Sequence, residues 1–322
     1  MIEAAIVGLG RWGRTLVEAV QGKSDKLRFT HAVSRSPEKV QEYAATRKLR
    51  VIESLEAALA ERAVDAIVLA TPHSLHRAQI ETVAAAGKAV FCEKPLALTR
   101  AEAARAVAAC ERAGVVLAVG HDKRWFPAMR ELADVVAGGS LGRLLHVEAH
   151  FSNEVSAPAQ PAWRHDESEA PAAGMTATGI HVLDAMVRML GPVRRVSAVE
   201  MRLKPPPDPY DSITALLEFE SGISGTLATM RSTPLFWRVH VFGRDGSAEA
   251  VSLTDLELRL HGAVPERRQF EPVNTARANL EAFADAVAGV APYPITTNQM
   301  LDTVAAFEAI ATAVRSGAAV SL

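Results

Sequence analysis

A chain of 322 residues is long enough to bury two separate cores. Hydrophobic residues make up 49% and charged residues 22%, which excludes wholesale disorder. Lys and Arg number 35 against 37 Asp and Glu, a formal charge of -2, and that balance leaves no broad basic field for gripping nucleic acid or an anionic membrane.

The two cysteines, Cys92 and Cys110, are too few for a disulfide framework and stand in no metal-ligand spacing. They read as small buried hydrophobes, and no metal is expected. No basic segment with an apolar run and a small-residue cleavage site begins the chain, and no apolar stretch approaches the roughly 20 residues that span a bilayer. The expectation is a cytoplasmic chain with no nucleic-acid or membrane partner.

Along the first 120 residues, short apolar runs alternate with helical stretches. Runs at 4–7, 29–33, 66–70, 89–92 and 115–119 read as strands. Helices are expected at about 12–21, from Ser36-Pro37-Glu38, from Ser54, from Ser74 to Gly87, and from the capping-box spacing Thr99-Arg100-Ala101-Glu102 to Gly114. This alternation predicts a doubly wound parallel sheet, a Rossmann domain over residues 1–122. Beyond Gly120 the texture changes. A helix at 127–137, a strand at 144–151, a Pro-, Ala- and Glu-rich loop at 156–173 and a helix at 178–190 come first. Strand-like runs then follow one another at 193–201, 212–219, 225–230, 238–242, 247–251 and 257–260, and helices at 276–287 and 297–315 close the chain. Consecutive strands with short turns predict a C-terminal α+β domain, residues 123–322, around a large, mainly antiparallel sheet.

Gly8-Leu9-Gly10-Arg11-Trp12-Gly13 is G-x-G-x-x-G, placed after a strand and opening a helix. The first glycine permits the tight turn, the second lets a pyrophosphate approach the backbone, and the third packs helix on strand, while the helix N-terminus offers free N–H groups. Arg11 and Trp12 lie within that turn. Enzymes that use NAD place a carboxylate at the end of the second strand, against the ribose 2′-hydroxyl. Here Ser34-Arg35-Ser36 stands in its place. Hydroxyls and a guanidinium suit a 2′-phosphate, so NADP is the preferred cofactor and NAD the alternative. Glu93-Lys94-Pro95 follows the strand at 89–92. Ligands bind at such strand ends, and a lysine there can hold or release the proton of a substrate hydroxyl.

The glycine fingerprint does not stand alone. With it come Ala70-Thr71-Pro72-His73-Ser74-Leu75-His76, Gly87-Lys88-x-Val90-Phe91-Cys92-Glu93-Lys94-Pro95-Leu96, Val119-Gly120-His121, Arg124 with Phe126, Trp163-Arg164 and Gly179-Ile180-His181-x-x-Asp184. Together they resemble the family of glucose–fructose oxidoreductase and inositol dehydrogenase (Gfo/Idh/MocA) over nearly the whole chain, most closely over residues 4–130. The resemblance implies a pyridine-nucleotide dehydrogenase acting on a small hydroxyl or carbonyl compound such as a sugar or cyclitol. It implies Lys94 as catalytic residue with His181 as second candidate. Thr71, Pro72, His76 and Glu93 would line the cofactor cleft, and Trp163 and Arg164 would reach the cofactor from the second domain. It also implies a homodimer or homotetramer, and the open face of the antiparallel sheet needs cover or solvent.

One departure stands out. The family pattern puts an Asp one helical turn before the histidine, and Ala177 occupies that place. Thr178 offers a hydroxyl, Asp184 could orient His181 from the next turn, and Asp122, where the family often carries Asn, could supply a carboxylate from elsewhere. A cofactor-binding regulator without chemistry, or a reductase of C=N or C=C bonds, would tolerate the missing Asp, and both stay open beside the dehydrogenase reading.

Overall fold

The computed structural model describes residues 1–153, 166–172, 174–202, 211–231 and 233–322. They form two compact units. The first comprises Met1–Ala97, Ala101–Asp122 and Asn274–Met300, the second Leu98–Arg100, Lys123–Val273 and Leu301–Leu322.

In the first unit, β1 (Ile2–Val7), β2 (Leu27–Val33), β3 (Arg50–Ile52), β4 (Ala66–Leu69), β5 (Ala89–Cys92) and β6 (Leu117–Val119) form one parallel sheet. Its order is β3-β2-β1-β4-β5-β6. Helices α1 (Arg11–Val20), α2 (Gln41–Thr46), α3 (Leu55–Ala60), α4 (His76–Ala85) and α5 (Arg100–Ala113) connect the strands. Every residue of β4 and β5 is buried, as continuous apolar runs covered on both faces require. The chain leaves β1 toward β2 on one side and returns to β4 on the other, which opens a crevice at the C-terminal ends of β1 and β4. Several caps follow the sequence: the Ser54 hydroxyl accepts the Ala57 N–H at 3.1 Å at the start of α3, and Gly87 and Gly114 end their helices with positive φ.

The chain then enters the second unit through α6 (Pro127–Ala137) and β7 (Leu144–Ser152). A π-helical turn, Met175–Gly179, leads into α7 (Ile180–Leu190). After it come β8 (Val193–Arg202), β9 (Asp211–Phe219), β10 (Ser224–Met230), β11 (Phe236–Gly243), β12 (Gly246–Ala250), β13 (Asp255–Leu260) and β14 (Glu266–Gln269). Helices α8 (Thr275–Val287) and α9 (Thr297–Ser316) and the short β15 (Val320–Ser321) close the chain. The sheet order is β14-β13-β12-β11-β7-β10-β9-β8-β15, antiparallel except for the β7–β10 pair. Helices α6 and α7 and the later half of α9 bury one face, with Phe151, Phe219, Trp237, Leu183, Met186 and Phe307 in the core. The other face is open. Among the described residues, no helix is long and apolar enough to cross a membrane.

Three features depart from the sequence reading. The edge strands β3, β14 and β15 have four residues or fewer and carry little apolar signal, so periodicity passes over them. The helix expected at 178 begins instead with the π turn. Residues 274–300, expected in the second domain, pack on the first unit: Phe283 meets Phe91 edge-on at 5.8 Å, and the Tyr293 hydroxyl donates to the Val119 carbonyl at 2.8 Å.

Candidate cofactor and acid–base site

The first unit builds its site from four strand ends. After β1, Gly8 adopts φ +97°, a left-handed conformation that favours glycine, and a Cβ there would lie 2.5 Å from the Ala70 carbonyl oxygen. A Cβ on Gly13 would overlap the Gly8 carbonyl. Gly10 is different. Its backbone is ordinary (φ -70°, ψ -172°) and a Cβ would meet nothing within 4 Å. Protein packing therefore leaves space beside Gly10. It is also the N-cap of α1, has no side chain to cap the helix, and the first turn of α1 carries no acidic residue. The N–H groups of that turn stay available to an anion. This cradle fits a dinucleotide pyrophosphate, and Gly8, Gly10, Arg11, Trp12 and Gly13 are the residues that would hold it.

At the end of β2, the Ser34 hydroxyl accepts the Ser36 N–H at 3.2 Å and Arg35 is exposed, with no carboxylate from Val33 to Ser36. Of the helix expected from Ser36, only a 3-10 turn, Pro37–Lys39, precedes α2, and Ser36 makes no side-chain cap bond. After β4, the Thr71 hydroxyl donates to Gln79 Oε1 at 2.6 Å, and Thr71 and Pro72 are half-buried. His76 is completely buried, with both ring nitrogens facing backbone carbonyls. It supports the wall of the cleft and presents no surface of its own to a ligand.

After β5, Glu93 is buried and Lys94 half-buried, and the Lys94 N–H reaches Glu93 Oε2 at 3.3 Å. A Cβ on Gly120 would stand 2.6 Å from the Glu93 carboxylate, so glycine after β6 makes room for it. Burial pushes the Glu93 carboxyl from 4.5 up to about 7; Asp122 adds to the rise, while Trp12 and Lys94 oppose it. A carboxyl that binds its proton more tightly when folded loses stability as pH rises from 4.5 to about 7, and the penalty is complete above that range. Glu93→Gln keeps the shape and removes the charge. It should raise thermal stability at pH 8 by on the order of 3 kcal/mol relative to its effect at pH 5. Melting curves at the two pH values check this, and an equal change at both contradicts it.

Asp122, suggested above as a substitute for the missing Asp, accepts the Thr275 hydroxyl at 3.0 Å and is buried in the first unit. Its negative charge favours the protonated form of the Glu93 carboxyl. Thr275, Asn279 and Tyr293 brace the end of β6, the latter two through the Val119 carbonyl. Sequence reasoning missed all three, since they lie more than 150 residues beyond the strand and carry no motif.

In the second unit, His181 is the second residue of α7 and is buried, with its ring edge-on to Phe151 at 6.0 Å. Both suggested helpers bond to other residues. Asp184 holds Arg124 in a bidentate pair, Nε to Oδ2 and Nη2 to Oδ1, both 2.7 Å. The Thr178 hydroxyl donates to the Gly174 carbonyl at 2.9 Å and pairs with Thr229 at 2.6 Å. The turn before α7 is π-helical, with the Ile180 N–H bonded to the Met175 carbonyl five residues back. The Thr176 hydroxyl donates to the Pro171 carbonyl at 2.6 Å. Trp163 and Arg164 lie outside the described residues.

A sheet ordered β3-β2-β1-β4-β5-β6, with a three-glycine turn at its switch point, defines a Rossmann-type nucleotide-binding oxidoreductase. Comparison with known proteins is specific. A model of the oxidoreductase family with an NAD-binding Rossmann fold matches residues 2–121, and one of the Gfo/Idh/MocA C-terminal domain matches residues 129–249. The chain belongs to the Gfo/Idh/MocA family of NAD(P)-dependent oxidoreductases. It is 29% identical over 275 residues to the D-apiose dehydrogenase of Paraburkholderia graminis, covering 73% of this chain and 72% of that one. It is 24% identical over 299 residues to the D-xylose 1-dehydrogenase [NADP(+)] of Haloarcula marismortui, covering 88% and 82%. Among solved structures, it is similar to an aldose-aldose oxidoreductase from Caulobacter crescentus complexed with glycerol (TM-score 0.87, 28% identity, 100% and 99% covered). It is also similar to GenD2 of gentamicin A biosynthesis in complex with NAD (TM-score 0.87, 26% identity, 100% and 96% covered).

Proposed function

We propose that the protein oxidises or reduces a small sugar or related hydroxyl compound with NADP(H), Lys94 serving as general acid–base. The observation that carries this reading is the pairing of the Gly8–Gly13 cradle with a half-buried lysine at the end of β5, in one sheet. When bound, the nicotinamide supplies two-electron redox chemistry as hydride exchange. The chain supplies the rest. Free N–H groups of α1 hold the pyrophosphate. Ser34 and Arg35 bind the ribose 2′-phosphate, with no carboxylate between Val33 and Ser36 to repel it. Thr71 and Pro72 line the cleft. Lys94 accepts or returns the proton at the substrate hydroxyl oxygen, and His181 assists by binding substrate. The buried, unbridged thiols of Cys92 and Cys110 suit a reducing, cytoplasmic setting.

Absorbance at the reduced-nicotinamide band tests this directly. Purified protein is given NADP+ or NAD+ with D-xylose, D-apiose, inositol and levoglucosan, and NADPH with keto sugars, imines and enones. Turnover of a sugar or cyclitol, faster with NADP+, is the expected result. Turnover confined to imines or enones, or none beside tight NADPH binding, would replace this reading with one of its rivals.

We also propose that a second copy of the chain covers the open face of the second unit's sheet. Val199, Met201, Leu216 and Phe236 are 45–63% exposed there, next to an internally paired ion network in which Arg238 meets Glu249 at 2.5 Å and Glu148 at 3.0 Å. Apolar groups beside charges already neutralised suit burial against a like face. Light scattering at micromolar concentration should give a dimer or tetramer mass, and a monomer contradicts it.

A further inference from the structure

Three segments of the first unit meet at the ring of His76, the residue that opens α4. The side chain is completely buried. Its Nδ1 lies 2.8 Å from the carbonyl oxygen of Pro95, in the segment after β5. Its Nε2 lies 3.1 Å from the carbonyl oxygen of Thr71, in the turn after β4. The ring of His73 meets it edge-on, with centroids 5.7 Å apart.

Both carbonyls belong to segments that shape the site. Ala70, just before Thr71, lies so close to Gly8 that a Cβ on the glycine would stand 2.5 Å from its oxygen. The turn after β4 is thereby held against the phosphate-binding turn. Pro95 directly follows Lys94. The His76 ring thus spans from the wall of the glycine turn to the peptide that carries the lysine. A lysine side chain is long and rotatable, so the placement of its backbone is the part the fold can fix.

Hydrogen-bond chemistry adds a constraint. Carbonyl oxygens only accept, so a ring nitrogen bonded to one must carry a hydrogen. Neutral imidazole has a single N–H, and burial favours that neutral ring, so it donates to the nearer carbonyl, that of Pro95, and packs against the other.

We propose that His76 is a positioning residue for Lys94: its ring ties the Lys94-Pro95 segment to the turn after β4 and so sets the lysine's place relative to the cofactor cradle. This rests on the reading of Lys94 as the acid–base group, and it assigns that group's support to a residue one helix away that touches neither cofactor nor substrate.

Two arms test it. Nitrogen NMR of wild-type protein labelled in its histidines, with and without NADP+, reads the two ring nitrogens directly. The expected result is one fixed tautomer at pH 7, its N–H at Nδ1 toward the Pro95 carbonyl 2.8 Å away. Averaging between the two tautomers overturns the tether. The kinetic arm uses His76→Ala and His76→Gln, each alone and combined with Lys94→Ala, on whichever of D-xylose, D-apiose and inositol turns over fastest. His76→Ala should lower kcat about 10- to 100-fold, the scale of an ångström's misplacement. NADP+ affinity and sugar KM should stay within about threefold, and Gln, able to donate to one carbonyl, should recover part of the loss. In the Lys94→Ala background the same change should cost nothing further, since both act through one group. An equal loss in both backgrounds makes His76 merely structural and overturns the proposal. The failures are separable: wild-type turnover in Lys94→Ala removes the reading of Lys94 itself, whereas loss at Lys94 without loss at His76 removes only the tether.

Discussion

Lys94→Ala should lower kcat by about 10²- to 10⁴-fold, the range a positioned general acid–base contributes, while NADP+ still binds. In the proposed binding mode the phosphates and ribose rest on the Gly8–Gly13 turn and on Ser34 and Arg35, none of which depends on the ammonium. The neighbouring Glu93 cannot replace it: its carboxyl is buried and committed to the Lys94 N–H, and it fills the room that Gly120 leaves. Lys94→Arg should recover little, because guanidinium stays charged and returns no proton. Initial rates together with NADPH fluorescence titration check both halves of the expectation. Turnover within about threefold of wild type would remove Lys94 from the chemistry.

The largest effect on stability should come from Asp184→Ala. Arg124 and Asp184 are 5% and 2% exposed and joined by two charge-assisted hydrogen bonds. Removing the carboxylate takes from a buried guanidinium the acceptor of both these bonds, and breaking such a buried pair typically costs 3–5 kcal/mol, and about 10 °C in melting temperature for a protein of this size. Arg188 compounds the loss. Burial and the nearby Arg124 already hold its guanidinium below the usual arginine range, and Asp184 is among the groups that oppose this. The double change Arg124→Met with Asp184→Leu should regain most of the stability, since an apolar pair of similar volume needs no compensation. Calorimetric melting of the three proteins decides it. A drop below about 2 °C in Asp184→Ala would show that the pair contributes little.

How much of this was legible in the sequence depended on range. The Rossmann strands announced themselves because they are buried on both faces, so their apolar runs are unbroken, as at Ala66–Leu69 and Ala89–Cys92. The glycine turn was legible because steric demands there are local: Gly8 and Gly13 answer to neighbours within one strand–helix unit, apart from the passing Ala70. Ala177 was readable as a missing carboxylate, but what surrounds His181 was not. Asp184 sits one turn from His181 in sequence, yet it serves Arg124, sixty residues earlier, and no local pattern shows that. The π turn likewise leaves no periodicity of its own. The return of residues 274–300 to the first unit depends on long-range bonds such as Thr275 to Asp122. Composition is alike on both sides of that boundary.

The central claim is that a dinucleotide's phosphates rest beside Gly10, and titration calorimetry of NADP+ into wild type and Gly10→Leu tests it most directly. Backbone at Gly10 suits any residue and a Cβ there would meet nothing within 4 Å, so the variant should melt within about 2 °C of wild type. Wild type should bind NADP+, and the variant should bind it at least about 100-fold more weakly, the leucine occupying the pyrophosphate's place. Equal affinity in the two proteins, or no binding to a folded wild type, would contradict the account.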